Sequence, residues 1–67
     1  MNEAQTLDPL AHSPDRAAHR VGISLRAVYT HIASGELRSF KDGKRRLIPE
    51  AELQAFVLRK MAQAVTA

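Results

Sequence analysis

The sequence contains no cysteine and no tryptophan, and only three of its 67 residues are aromatic. Without cysteine, neither a disulfide framework nor a thiolate metal site can form. A small chain that lacks disulfides fits the cytosol better than secretion, and its first residues do not have the pattern of a signal peptide. No apolar run approaches the ~18 residues of a membrane-spanning helix. We therefore expect a cytoplasmic protein of one small domain that does not associate with a membrane.

The chain also has little that could support catalysis or hold a metal ion. A domain of this length buries only roughly 60% of its unfolded surface, which leaves little room for a deep, dry pocket. Its soft metal ligands are His12, His19 and His31, and no two of them have the i, i+4 spacing of a helical zinc site. We interpret these histidines as surface residues. We expect no enzymatic activity and no cofactor.

Positive charge is concentrated in the middle of the chain. The net charge is +3 overall, but residues 1–15 sum to −3, residues 16–46 to +6 and residues 47–67 to zero. Such a concentration suits a polyanionic partner. A basic face that only improves solubility is the alternative interpretation.

Helix signals divide the chain into a tail, a domain and a short end. Residues 1–12 show no period and are expected to form a flexible tail, while residues 13–62 form the domain and residues 63–67 fray. Ser13-Pro14-Asp15 starts a helix, because serine caps it, proline fits its first position and aspartate meets the positive end of the dipole. Gly22 can take the left-handed conformation that ends this helix.

A second helix is predicted over residues 24–34, capped by Ser24. Its apolar stripe comprises Leu25, Val28, Tyr29 and Ile32, and its opposite face carries Arg26, Ala27, Thr30, His31 and Ser34. Two short helices joined by a tight turn with glycine are typical of a helix–turn–helix.

Residues 36–48 predict a β-hairpin, followed by a third helix that starts at Pro49-Glu50. Asp42-Gly43 is a favoured turn pair, which places Phe40 opposite Arg45 and Leu37 opposite Ile48. The hairpin carries five basic residues: Arg38, Lys41, Lys44, Arg45 and Arg46. In the third helix, Leu53, Phe56 and Val57 form the core stripe, and Leu58 and Met61 widen the apolar surface. The expected fold is mainly helical, with three helices and a two-stranded wing.

Several of these features occur together, in order and without gaps. They are Ala17-Ala18, Val21-Gly22-Ile23-Ser24, Val28-Tyr29, Ile32, Ser34-Gly35-Glu36-Leu37, Gly43, Arg45, Ile48-Pro49 and Leu53 to Phe56. On these residues the chain resembles the excisionase-type, MerR-like winged helix–turn–helix family. The resemblance implies a recognition helix over residues 24–34 in the major groove. It also implies a wing over residues 38–47 against the DNA backbone or minor groove.

The pattern and the resemblance together give a set of candidate DNA-binding residues. The set comprises Ser24, Arg26, Ala27, Tyr29, Thr30, His31, Arg38, Lys41, Lys44, Arg45 and Arg46. We expect Arg26 and Thr30 to contact base edges, with His31 as a further candidate, and the basic wing to hold the backbone. Tyr29 could contact a phosphate, or it could lie at the edge of the core with its hydroxyl outward.

Members of the family that the chain resembles bind double-stranded DNA in two biological roles. Excisionases bind in several copies, bend DNA and direct an integrase toward excision, while other members are transcriptional regulators. Only about 20 residues follow the wing, so we do not expect a coiled coil or an effector domain. We expect a phage or mobile-element excisionase, a recombination directionality factor, in a bacterial host cell and associated with the nucleoid. An integrase is a candidate partner, and Leu58, Met61 or the wing could mediate self-association on DNA.

Two alternatives to the excisionase role stay open. A small phage or plasmid transcriptional regulator would use the same fold and the same DNA-binding residues. A protein-interaction or antitoxin-like module would use the fold without DNA.

Overall fold

The computed structural model describes residues 9–66, which contain three helices and three short strands. In chain order they are β1 (Ala11–His12), α1 (Pro14–Val21), α2 (Leu25–Ser34), β2 (Phe40–Asp42), β3 (Arg45–Pro49) and α3 (Glu50–Thr66). The strands form one antiparallel sheet in the order β1-β3-β2. Three helices with a β-hairpin wing confirm the predicted winged helix–turn–helix fold.

The connection between α1 and α2 is a glycine-centred turn. Ser13 Oγ accepts a hydrogen bond from the backbone N–H of Arg16 at 3.3 Å, as expected of the cap of α1. At the other end Gly22 has a φ of +90°, and its N–H and that of Ile23 both donate to the carbonyl of Ala18, at 2.8 and 3.0 Å. This left-handed termination reverses the chain at once. It brings α2 against α1, as a helix–turn–helix requires.

The register of the wing differs from the prediction by two residues. Phe40 lies opposite Leu47 rather than Arg45, and the turn is formed by Gly43 and Lys44 rather than by Asp42-Gly43. Gly43 has a φ of +66°, and no non-glycine residue in the described range has a positive φ. A two-residue hairpin turn with a positive φ only at its first central position is a type II′ turn, which favours glycine there. Gly43 occupies that position. The two-residue shift leaves every side chain on its predicted face of the hairpin.

The predicted tail is too long, because Ala11–His12 forms a strand. Ala11 pairs with Pro49 and His12 pairs with Ile48, so the wing sheet has a third strand. His12 is only 6% exposed, and the interpretation of this histidine as a surface residue was wrong. Residues 1–8 of the predicted tail lie outside the described residues.

Glu50 connects three elements of the domain through its side chain. Arg20 of α1 donates two hydrogen bonds to the Glu50 carboxylate, at 2.8 and 2.6 Å, and Gln54 donates one at 2.8 Å. His12 Nε2 lies 2.6 Å from Oε1 of the same carboxylate. The hydrogen bonds from Arg20, then those from Gln54 and His12, hold the pKa of Glu50 far below its ordinary value. The ionised carboxylate of Glu50 beside its ring therefore explains why His12 can be buried.

The core lies between the helices and the central strand. Its buried members are Ala17, Ala18, Val28, Leu37, Ile48, Leu53 and Phe56. Val57, predicted in the core stripe of α3, is 37% exposed. α3 continues to Thr66, beyond the predicted end of the domain at residue 62. The alanines and glutamine that follow Met61 are good helix formers, so the helix has no local reason to stop there.

Candidate nucleic-acid interface

The exposed face of α2 is the first part of the candidate interface. Ser24 Oγ accepts from the N–H of Ala27 at 3.0 Å, so this predicted site residue is also the helix cap. Arg26 and Thr30 are exposed, whereas Ala27 is only half-exposed. Thr30 Oγ1 donates to the backbone carbonyl of Arg26 at 3.0 Å, which leaves the oxygen free to accept. The guanidinium of Arg26 makes no hydrogen bond or ion pair with any residue in the described range.

The buried face of α2 is rotated from its predicted position. Val28 is fully buried and Ile32 half-buried, but Leu25 and Tyr29 are 40% and 49% exposed. Leu25 and Tyr29 therefore form the exposed side of the predicted apolar stripe, and the exposure of Tyr29 fits a residue at the core edge with its hydroxyl outward. His31, placed on the outer face by the prediction, instead packs inward.

His31 joins α2 to α3 and to the loop that follows α2. Its ring centroid lies 4.8 Å from that of Phe56, and its Nδ1 lies 2.8 Å from Oε1 of Glu36. The other carboxylate oxygen of Glu36 accepts from Lys60 at 2.9 Å. Hydrogen bonds from Lys60 and then from His31 lower the pKa of Glu36. The aromatic and charged partners on α3 therefore explain why His31 faces inward, and they leave it poorly placed to contact a base.

The wing is the second part of the interface, and residues 35–39 connect the end of α2 to its first strand. Four of its five cations are exposed: Arg38, Lys41, Lys44 and Arg45. The fifth, Arg46, is half-buried and donates to Ser39 Oγ at 2.6 Å. Ser39 was not among the predicted residues, and a lone serine before a strand gives no sequence signal for this role.

The pairing of β2 with β3 sets two cations against each other. Lys41 lies directly opposite Arg46, while Asp42 lies opposite Arg45. Like charges at directly opposed positions destabilise an antiparallel pair. The structure therefore retains a local repulsion that a bound anion would relieve.

Apart from Asp42 of the wing itself, two acidic residues pair with cations of other elements. Glu50 binds Arg20, and Glu36 binds Lys60. In the described part of the chain, no ion pair involves a cation of the wing. The first turn of α2 contains no acidic residue, unlike the first turns of α1 and α3, so nothing offsets the positive end of its dipole.

Two other kinds of site receive no support in the described range. Residues 9–66 contain no group of three or more His, Cys, Asp or Glu side chains placed to hold a metal ion. Over the same residues, no helix has the length and apolar character needed to cross a membrane.

Comparison with known proteins gives one match. A family model described as a helix-turn-helix domain matches residues 13–61, from the cap of α1 to the middle of α3. No curated protein and no solved structure matches the chain significantly. The matched range includes both helices of the turn, the whole wing and all seven buried hydrophobic residues of the core. The chain therefore belongs to the helix-turn-helix domain family, whose domain implies DNA binding.

Proposed function

We propose that the chain binds double-stranded DNA sequence-specifically and does so without catalysing a reaction on it. The observation that carries this proposal is the opposition of Lys41 and Arg46 in a wing whose cations form no ion pair in the described residues. A protein without an anionic ligand gains nothing from this repulsion. The phosphate backbone of a duplex supplies the missing negative charge.

The two parts of the interface have different tasks in this proposal. Arg26 and Thr30 contact base edges in the major groove, where arginine pairs with guanine. The wing cations bind phosphates, which fixes the orientation of α2 without reporting sequence. His31 acts indirectly, because its contacts with Phe56 and Glu36 hold the end of α2 against α3.

A salt titration tests the proposal. If the five wing cations each neutralise one phosphate, log affinity should fall against log salt with a slope of about −4.5. Fluorescence anisotropy with a labelled duplex between 50 and 200 mM salt measures this slope. Arg59→Gln removes one charge from α3, outside the proposed interface, and should leave the slope unchanged. A slope near zero for the wild type would contradict groove binding.

We further propose that the biological role is that of an excisionase. The support is the residue-level resemblance together with two exposed apolar surfaces that could join neighbouring copies on DNA. On α3, Leu58 and Met61 are 66% and 59% exposed, and on the wing Phe40 is 47% exposed opposite Leu47. In this role the copies load cooperatively, bend the duplex and act with an integrase in the nucleoid of a bacterial cell.

A bending assay separates this role from that of a transcriptional regulator. Circularly permuted duplexes with tandem sites should show position-dependent mobility if copies bend DNA in phase. An integrase gene beside this gene, and excision that depends on the protein, would support the excisionase role. Independent binding to tandem sites without bending would favour a simple regulator.

A further inference from the structure

Two large apolar side chains stand on the exposed face of α2. Leu25 is 40% and Tyr29 is 49% exposed, and their i, i+4 spacing places them on one side of the helix. Ala33, one more turn along, is exposed as well. Single exposed apolar residues are common on protein surfaces. Three exposed apolar residues in a line, on the helix that also carries Arg26 and Thr30, indicate a ligand with both polar and apolar groups.

The fold itself does not cover this line. Val28, Ile32 and His31 occupy the side of α2 that meets the rest of the domain. The charge around the line favours an anionic ligand, since Arg26 lies on the same face and the first turn of α2 has no acidic residue. A duplex meets both requirements, because the thymine C5-methyl group is an apolar feature of the major-groove base edges.

We propose that Leu25, with the ring of Tyr29 beside it, packs against the methyl group of a thymine in the major groove. The chain thereby prefers thymine at one position of its site. This inference rests on the proposed sequence-specific DNA binding. Leu25 is the first residue of α2, and residues at the start of a recognition helix contact base edges. Tyr29 follows one helical turn later, about 6 Å further along the helix axis, and side chains at i and i+4 are neighbours on a helix surface.

Replacement of thymine by uracil tests the contact, because it removes only the methyl group and keeps the base pair. The probe is a single-site duplex that the full chain selects from a randomised pool, with each thymine replaced in turn. Burial of one methyl-sized group contributes a factor of about four in affinity. We expect about fourfold weaker binding by the wild type at one position and little change at the others.

Leu25→Ala should bind the thymine duplex more weakly and should show no further loss with uracil at that position. Leu25→Met, which keeps an apolar side chain, should retain a response to uracil. Leu10→Ala is the matched control, because Leu10 is 89% exposed and lies outside α2; it should behave as the wild type. Circular dichroism verifies that each variant is folded.

Two results would overturn the inference. One is a selected site at which no uracil substitution weakens wild-type binding. The other is a Leu25→Ala variant that keeps the full uracil response or binds as tightly as the wild type. Failure to select any sequence would instead contradict the proposed function, so the two failures are distinguishable.

Discussion

Removal of the charge on Lys41 should stabilise the fold and weaken DNA binding at the same time. Lys41 faces Arg46 directly across the hairpin. Opposed like charges cost about 0.2–1 kcal/mol, with the lower end expected for an exposed pair. Lys41→Gln should therefore stabilise the free protein by about 0.3 kcal/mol, which raises the melting temperature by about 1–2 °C in a domain of this size. Loss of one phosphate contact should make the salt slope of DNA binding less steep by about 0.9.

Thermal unfolding at low and high salt separates this effect from changes in packing. At about 1 M salt the screening length is only about 3 Å, so the gain in melting temperature should disappear. Lys41→Arg keeps the charge and serves as the control, with little change expected in stability or in salt slope. A Lys41→Gln protein that melts below the wild type at low salt, or that keeps the wild-type salt slope, would refute the argument.

Three further predictions concern other parts of the domain. The pKa of Glu50 lies far below its ordinary value, so its stabilising effect should be complete above about pH 4.3 and lost as the pH falls further. In thermal melts from pH 6 to pH 3, wild-type stability should fall more steeply than that of Glu50→Gln, and Glu52→Gln should follow the wild type. Arg26→Ala should cost about 1–3 kcal/mol of binding and relax sequence preference; unchanged discrimination in a competition assay would refute the assigned base contact. Polar substitution of Leu58 and Met61 should abolish cooperative loading on a two-site duplex and preserve single-site affinity; a wild type that fits two independent, equal sites would rule out the cooperative model.

Local chemistry made the helix–turn–helix predictable from the sequence. The caps at Ser13 and Ser24 and the left-handed Gly22 depend on residues within one helical turn, and the structure confirms each of them. The position of the wing was also predictable. Its exact register was not, because Gly43 can occupy either central position of a two-residue turn and the sequence alone does not choose between them.

The errors arose where a side chain is positioned by a distant element. The apolar stripe of α2 was assigned from helical spacing, which treats Leu25 and Tyr29 as equivalent to Val28. The actual buried side follows from Phe56 of α3 and from Glu36, which together draw His31 inward. Likewise β1 could not be predicted, because it is only two residues long and is too short to show the alternating pattern of a strand.

The acidic residues determine which positive charges face a ligand. Glu50 neutralises Arg20 and Glu36 neutralises Lys60, and the lowered pKa of each carboxyl keeps it ionised in the folded domain. Those cations belong to α1 and α3, while the wing keeps its five cations against Asp42 alone. The formal net charge of +3 therefore understates the charge presented to a duplex. Salt dependence reports the phosphates that are contacted locally. We therefore expect the salt slope to follow the number of wing cations rather than the net charge of the whole chain, because Glu50 and Glu36 are paired with cations outside the wing.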